Sequence, residues 1–501
     1  MDAAGPDKRA TGFREWVWAA WGAAAAVVLW LPALNSPLWQ EDYVWIAQAR
    51  AGVAWPGIGD QLLSGGGLFW RPLGVGAYWR AAMALTGGSP PLLHALGLLL
   101  HLMAFMAVGV FGARLAAALA TKPHNTPVPA AAAAFFFGTH TAHFLPTHWA
   151  SGRQQTLLVL FEALALTGWL GLIVKTDRSV RSRWASLGLL TACIAGTAGA
   201  LGSTEAAVML PVLGAVLWYA LPHDRRLARL RDSVAAMGAA AAATAMTVAW
   251  LAVRSQLVVA PAADSPYAPA FGFNIPRNLL TLTAFLAGVP REGLRMLWEG
   301  ERVAAGAAWI FACGLLQTAA IAALARAGWR HRPLVAEPRR AALGLAAFAL
   351  AALAPYLPLA RHCYAYYALP ALLTLSAWAA LVAGRAPCRA MIPSALLGAA
   401  AVAAIMTLEH TAPYPSTLAT ARHAATMRGN LREQFRRLPQ PMQRVTIDCP
   451  DDRLWVFMGW EPGIGDALDV DWHRVSRVKS QRDAPGLRPP PDSLRVRPPD
   501  P

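Results

Sequence analysis

Charge is what this sequence has least of. Only 14% of its 501 residues are charged against 56% hydrophobic, and mean hydropathy is +0.37. A soluble domain carries roughly 25% charged residues, so the deficit excludes a chain whose whole surface faces water. Cysteine is scarce as well: the five present lack metal-ligand spacing, which argues against a cysteine-built metal centre. Cys363 and Cys449 are the one pair that an oxidising compartment leaves open to a disulfide. No basic patch interleaved with aromatics is present, so the net charge of +16 does not indicate a nucleic-acid partner. No internal repeat is visible, which argues against a transporter built from repeated halves.

Long apolar runs take the place of charge. Residues 16–34, 92–119, 155–174, 234–253, 303–325 and 391–408 each approach or exceed the ~20 residues that span a bilayer. In lipid every backbone polar group must be satisfied within the segment, so these runs read as helices. Run 16–34 follows Lys8, Arg9 and Arg14 but is long for a signal peptide and lacks a small-x-small cleavage site. It reads as a retained first helix after a cytoplasmic segment, residues 1–15.

Basic residues collect in short loops: Lys175 to Arg183, Arg225 to Arg231, and Arg330 to Arg340. The positive-inside rule places all three in the cytoplasm. Their parity is satisfied by about eleven spans, with the short apolar stretch 278–290 lying in the interface or re-entering. The expected fold is all-α and polytopic: a membrane domain over 16–408, long outer loops at 35–91 and 254–302, and an outer C-terminal segment, 409–501. Within that last segment 418–438 reads as helix and 444–447 and 454–458 as strands. The Pro- and Arg-rich end reads as disordered.

Polar residues that survive in such a chain are the candidates for chemistry. Glu41 and Asp42 stand just beyond the first helix among aromatics, where partial desolvation makes a carboxylate a workable general base. Arg71, in Phe69-Trp70-Arg71-Pro72-Leu73, has the forked geometry that grips phosphate or carboxylate. His94 and His101 lie two turns apart on one helix face. His140, His143, His148 and Arg153 form a cationic corner that favours an anion. Their spacing does not support a divalent metal, and no cofactor is indicated. Glu205 is the single carboxylate of a tight hairpin. Arg361, His362, Tyr364 and Tyr366 belong to another. Glu162, mid-span, must face the bundle interior.

In this order the fragments resemble the GT-C superfamily of polyprenyl-phosphate-sugar glycosyltransferases. The likeness is closest to protein O-mannosyltransferases and the transmembrane-plus-tetratricopeptide mannosyltransferases. It rests on Glu41-Asp42, on Phe69 to Leu73, on His94 and His101, on Phe137, His140, Trp149, Gly152 and Arg153, on Ser203-Thr204-Glu205 with Pro211, and on Arg361 to Pro370. It covers roughly residues 16–385. Two acidic positions of the family hold Leu145 and Gln155 here, the hairpin lysine is Thr204, and tetratricopeptide repeats are absent.

The resemblance implies a GT-C-like helical bundle in a bacterial-type inner membrane, with its site facing the periplasm or cell exterior. It implies transfer of a sugar from a polyprenyl-phosphate donor, with inversion, to a lipid, glycan or protein acceptor. Asp42 is the first candidate base and Glu41 the alternate. Arg71, Arg153, Arg361 and His362 would hold the donor phosphate. Glu205, His140, His143, Tyr364 and Tyr366 would support them. The long prenyl chain would lie between apolar helices. A transporter or flippase of lipid-linked intermediates, an O-antigen polymerase or ligase, and a non-catalytic relative are the rival readings.

Overall fold

The computed structural model describes residues 8–51, 69–121, 128–174, 183–225, 234–258, 305–329, 335–360, 362–386, 388–411, 417–436 and 444–449. It also covers most of 260–294 and parts of 452–496. Its helices in chain order are α1 (Lys8–Val28), α2 (Glu41–Ala51), α3 (Tyr78–Thr86), α4 (Pro90–Leu119), α5 (Val128–Gly138), α6 (Phe144–His148), α7 (Arg153–Ile173), α8 (Arg183–Ser203), α9 (Leu210–Ala220) and α10 (Val234–Leu257). They continue as α11 (Asn274–Leu286), α12 (Ala305–Trp329), α13 (Pro338–Leu353), α14 (Leu373–Ala383), α15 (Cys388–Thr411), α16 (Thr417–Arg436) and α17 (Asp452–Phe457).

Six helices are long and apolar enough to cross a membrane among the described residues: Pro90–Leu119, Ala150–Ile173, Trp184–Ser203, Val234–Leu257, Phe311–Gly328 and Ala390–His410. Val128–Gly138, Glu205–Ala220 and Leu373–Ala383 are shorter apolar helices. With α1 and α13 they make eleven, the number of spans that the charge pattern implies. Large apolar side chains such as Trp21, Trp184, Leu315 and Leu396 remain exposed on them. That is stable only where the solvent is lipid. The chain is thus a multi-pass, overwhelmingly helical membrane protein. Its tightest partnerships are α7 with α8, α12 with α15, and α4 with α1, α5 and α7, helped by the abundance of Ala and Gly at the contacts.

Turns gather at two ends. At one, Arg225 donates to the carbonyls of Ala117 and Thr121 at 2.8 and 3.2 Å, Ala336 N–H to Leu119 at 3.0 Å, and Arg385 to the Thr121 hydroxyl at 3.3 Å. The other basic residues of these loops lie largely outside the described residues. At the opposite end Ala270 N–H donates to Pro358 at 2.7 Å and Ala360 N–H to Ala268 at 3.1 Å, so loops 258–273 and 354–372 are stitched together. The short stretch near 278–290 is helix α11, which buries Asn278, Leu282 and Phe285 while leaving Leu280 exposed. Asn278 clamps it by donating to the carbonyls of Leu357 and Leu359.

The C-terminal segment differs in part from its sequence reading. Residues Arg444–Asp448 form strand β1 as expected, but 454–458 lies mostly in α17, with Trp455, Phe457 and Met458 buried in the core. Burying them from a helix overrides the β propensity of the run. Ser493–Val496, within the Pro- and Arg-rich end, is a strand, β3; with β2 (Val475–Val478) it flanks β1 in a parallel sheet of order β2-β1-β3. The rest of that end lies outside the described residues. No disulfide joins Cys363 and Cys449, the pair left open by the sequence.

The two-ended arrangement predicts opposite labelling. In a cysteine-depleted background, Phe271→Cys should react with a membrane-impermeant maleimide in intact spheroplasts, and Asp224→Cys only after permeabilisation. The reverse pattern would invert the topology.

Candidate active site

The acidic pair opens helix α2, and its geometry begins one residue earlier. Gln40 has φ 53°, the one left-handed non-glycine residue among those described. Such a conformation costs of order 1–3 kcal/mol unless its surroundings enforce it. They do so here through the C-terminal segment. The Gln40 N–H donates to the Phe457 carbonyl at 3.3 Å, and Trp39 stacks on the Phe457 ring at 6.4 Å. Gly459, at φ 87°, packs where a Cβ would collide with Tyr43, so only glycine lets the two segments approach this closely.

The two carboxylates then meet different fates. Asp42 is fully buried, and both its oxygens are taken. Oδ1 accepts from the Ser151 N–H at 2.7 Å and the Ser151 hydroxyl at 2.6 Å, while Oδ2 accepts from the Trp39 N–H at 3.2 Å. Burial pushes its carboxyl up to about 6, and the Ser151 and Trp39 bonds and nearby Arg153 oppose that rise. Glu41 is half-buried, and its Oε2 is enclosed without a hydrogen-bond partner. Burial pushes it up to about 7; a backbone bond and Arg71 oppose this while the Asp42 charge adds to it. Glu41 is therefore the carboxylate with an unengaged oxygen and a proton affinity near neutrality.

Arg71 arrives on the segment before the π-helical turn Pro72–Ala77. Its guanidinium forks onto Glu205 Oε2, Nε at 2.7 Å and Nη2 at 2.6 Å, and Nη1 donates to Gln154 Oε1 at 2.8 Å. The Phe69 ring lies 4.1 Å beneath it. Glu205 thus holds the Arg71 guanidinium in place.

The remaining candidates are placed differently. Arg153 is fully buried, with Nη1 donating to the Tyr78 hydroxyl at 2.9 Å and Nη2 bonded to His94 at 2.8 Å. It fits because Gly97 leaves the space that any Cβ would take from its guanidinium. It is buried inside the bundle, where its charge reaches Asp42. His101 bonds the Gly97 carbonyl at 2.8 Å and the Thr156 hydroxyl at 3.2 Å. His140 accepts from the Ala142 N–H and donates to the Leu286 carbonyl at 3.1 Å, which ties the 139–148 corner to α11. Burial holds its ring down at about 4, so it is neutral. His143 packs among Phe105, Phe137 and His101, its ring driven well below its ordinary value by burial. The histidines of the expected cationic corner are therefore buried and neutral, and Arg153 is the group that carries its charge.

His362 packs on Tyr267 at 4.1 Å and on Tyr364 at 4.4 Å. Burial, then Arg291 and Arg71, hold its ring down at about 3, so it offers no charge to a phosphate. Tyr364 and Tyr366 stack at 5.1 Å, and Arg291 sits 4.4 Å over Tyr364. Arg361 lies outside the described residues. Glu162 is buried inside the bundle as expected, with Oε2 unpaired. No group of three His, Cys, Asp or Glu that could hold a metal occurs among the described residues.

Two cavities flank this constellation. One, of about 210 Å³, is lined by Phe69, Arg71, Gln155, Thr204, Glu205, Arg254, Tyr267, Tyr356 and Tyr367. The other, of about 380 Å³, is almost wholly apolar and lies among α7, α8, α9 and α10, lined by Leu166, Trp169, Leu210, Pro211, Trp218 and Ala240. The turn Glu205–Met209 leads directly from the first to the second. Ser151, Gln154, Gln155, Tyr78, Tyr267 and Tyr356 were not singled out from sequence as site residues, Gln155 having entered only as a departure from the family's pattern. The first three flank or follow Gly152-Arg153, and their polarity at the head of an apolar run was the available signal.

No family model and no curated protein matches the chain in sequence. Solved structures do match in shape. ArnT from Cupriavidus metallidurans, bound to undecaprenyl phosphate, superposes with a TM-score of 0.50 at 14% identity, over 91% of this chain and 88% of that one. The Archaeoglobus fulgidus oligosaccharyltransferase, tethered with an acceptor peptide, gives 0.44 at 12% identity, over 91% of this chain and 63% of that one. At these identities the likeness is one of fold. The chain shares the fold of that ArnT structure.

Ser151→Ala should lower the unfolding temperature of the detergent-solubilised protein by several degrees. It removes a hydroxyl bond to a buried carboxylate worth about 1.5–3 kcal/mol. An unchanged melting curve would show that the Asp42–Ser151 clasp does not hold the loop.

Proposed function

We propose that the protein is a membrane glycosyltransferase that moves a sugar from a polyprenyl-phosphate donor to an acceptor on the outer side of the membrane, with Glu41 as the general base. The observation that carries this reading is the contrast within the acidic pair. Asp42 is saturated by three hydrogen bonds, while Glu41 keeps an enclosed, unpaired oxygen within electrostatic reach of Arg71 and Tyr267, both of which line the polar cavity. Supporting it are the GT-C-like fold, the ArnT structure's undecaprenyl phosphate, and the apolar cavity among α7 to α10.

In the proposed reaction Glu41 takes the proton of an acceptor hydroxyl or amine as that atom attacks the anomeric carbon. The carbon–oxygen bond to the lipid phosphate breaks on the opposite face, which inverts the centre. Arg71 stabilises the negative charge that grows on the departing phosphate, and Glu205 and Gln154 hold the guanidinium in place for it. The prenyl chain lies in the apolar cavity among α7 to α10. Asp42 anchors the loop and raises the proton affinity of its neighbour, a positioning role in place of the base role expected first. Arg153 supports Asp42 from within the bundle. A bacterial inner membrane, with this end of the bundle facing the periplasm, fits the positive-inside pattern.

Glu41→Gln should cut transfer by about 10²–10⁴-fold, the usual worth of a general base, while leaving the binding of undecaprenyl phosphate unchanged. The base must be deprotonated to act, so wild-type turnover should rise with pH through about 7 and fall roughly tenfold per unit below it. Full activity of Glu41→Gln in a transfer assay would sink the assignment.

A further inference from the structure

The polar cavity beside Arg71 carries an unusual set of atoms. Gln155 Oε1, Thr204 Oγ1, Glu205 Oε1, Tyr356 Oη and Arg254 Nε are all buried and have no hydrogen-bond partner, and all five residues line this one cavity. Gln155 and Thr204 are only 3% and 2% exposed. Each buried unpaired polar group costs about 1–3 kcal/mol, and native proteins tolerate only a few per hundred residues. Five residues carrying such groups line one space, which marks a place built to be completed by a polar ligand.

Their chemistry selects that ligand. The Glu205 carboxylate and the Gln155 carbonyl oxygen only accept hydrogen bonds, and the Thr204 and Tyr356 hydroxyls both accept and donate. Arg254 Nε alone is restricted to donating. The Arg71 guanidinium, the other cation of the cavity, commits three of its five N–H groups to Glu205 and Gln154, which leaves two for the phosphate. An anion placed among these atoms would leave both pure acceptors unpaired and face the Glu205 charge. A ring carrying several hydroxyl donors pairs them. The volume of about 210 Å³ lies below the roughly 300–1,000 Å³ of pockets for drug-sized ligands, so it suits one sugar ring and not an oligosaccharide.

We propose that this cavity holds the donor's sugar, and that Gln155, Thr204, Glu205 and Tyr356 select an uncharged, hydroxyl-rich monosaccharide over an acidic one. The inference rests on the transferase reading and adds to it the class of sugar moved. Gln155 stands where the resembling family has an acidic residue. Here its amide reads hydroxyl groups without adding a second negative charge beside Glu205.

The test uses the full-length protein in detergent and measures binding of three kinds of lipid. These are bare undecaprenyl phosphate, undecaprenyl phosphate carrying a neutral hexose (glucosyl, mannosyl and galactosyl forms), and the same lipid carrying glucuronate. At least one neutral form should bind tenfold or more tightly than the bare lipid, and the glucuronosyl form no better than the bare lipid. Thr204→Val, Tyr356→Phe and Gln155→Leu should each shrink the neutral-sugar advantage severalfold without moving the affinity for bare undecaprenyl phosphate, which reports correct folding. Equal binding of bare and neutral glycosylated lipid by the wild type overturns the sugar pocket alone. A glucuronosyl advantage, or variants that weaken all lipids in parallel, does the same. Failure of every lipid to bind overturns the donor reading and this inference with it.

Discussion

One turn of helix organises the whole end of the bundle. Residues 151 to 155, where α7 begins, send successive side chains in different directions, because each step along a helix turns by about 100°. Ser151 takes the Asp42 carboxylate, Arg153 reaches inward to Tyr78 and His94, Gln154 takes Arg71, and Gln155 faces the polar cavity. The loop after α1 and the loop before α3 have no contact in sequence with this turn. They are fixed to it by charged hydrogen bonds, which are strong where water is excluded. Each such bond is also costly to leave half made, so the loops have little freedom to drift from the geometry that the turn imposes.

The same turn explains how two adjacent carboxylates come to differ. Both are pushed upward by burial. Asp42 is drawn back by the donors of Ser151 and Trp39, and those bonds consume its lone pairs. Glu41, one step of about 100° away, has no such donors at its Oε2 and feels the neighbouring charge as well. Pairs of carboxylates whose surroundings push them apart are how enzymes divide structural from proton-transfer work. The left-handed backbone of Gln40, braced by Phe457, sets the direction from which α2 starts. The C-terminal segment therefore reaches the acidic pair mechanically, and its Arg428 lies over the Tyr43 ring beside that pair.

Much of this was legible in the sequence. Apolar run length and loop charge gave eleven helices and the gathering of turns at two ends, because lipid imposes those rules on every segment separately. The order of the motifs gave Glu41, Asp42, Arg71 and Glu205 a common neighbourhood. What a one-dimensional reading lacks is the identity of each partner. Arg153 looks like a phosphate ligand until Gly97, 56 positions earlier on α4, is seen to leave room for it inside. The histidines at 140, 143 and 362 look cationic until burial is known, and burial then makes them neutral. Residues 454–458 have strand composition, yet they belong mostly to a helix because Trp455, Phe457 and Met458 are buried from it.

The neutral residues of the polar cavity bear on how charge is balanced in the proposed reaction. A lipid phosphate leaving a sugar gains negative charge, and something positive must meet it. Gln155, Thr204 and Tyr356 bring no charge to that cavity, and Arg71 and Arg254 bring theirs. In the proposed reaction Arg71 meets the phosphate, although its charge is already paired with Glu205 at 2.6 Å. The trade has a rationale in geometry. An arginine held by a carboxylate and an amide points its remaining field in one fixed direction, and preorganised charge stabilises a transition state better than free charge that must first reorient. The neutral cavity lining and the pairing of Arg71 are then two parts of one proposed arrangement, in which a fixed guanidinium meets the phosphate and neutral amide and hydroxyl groups meet the sugar.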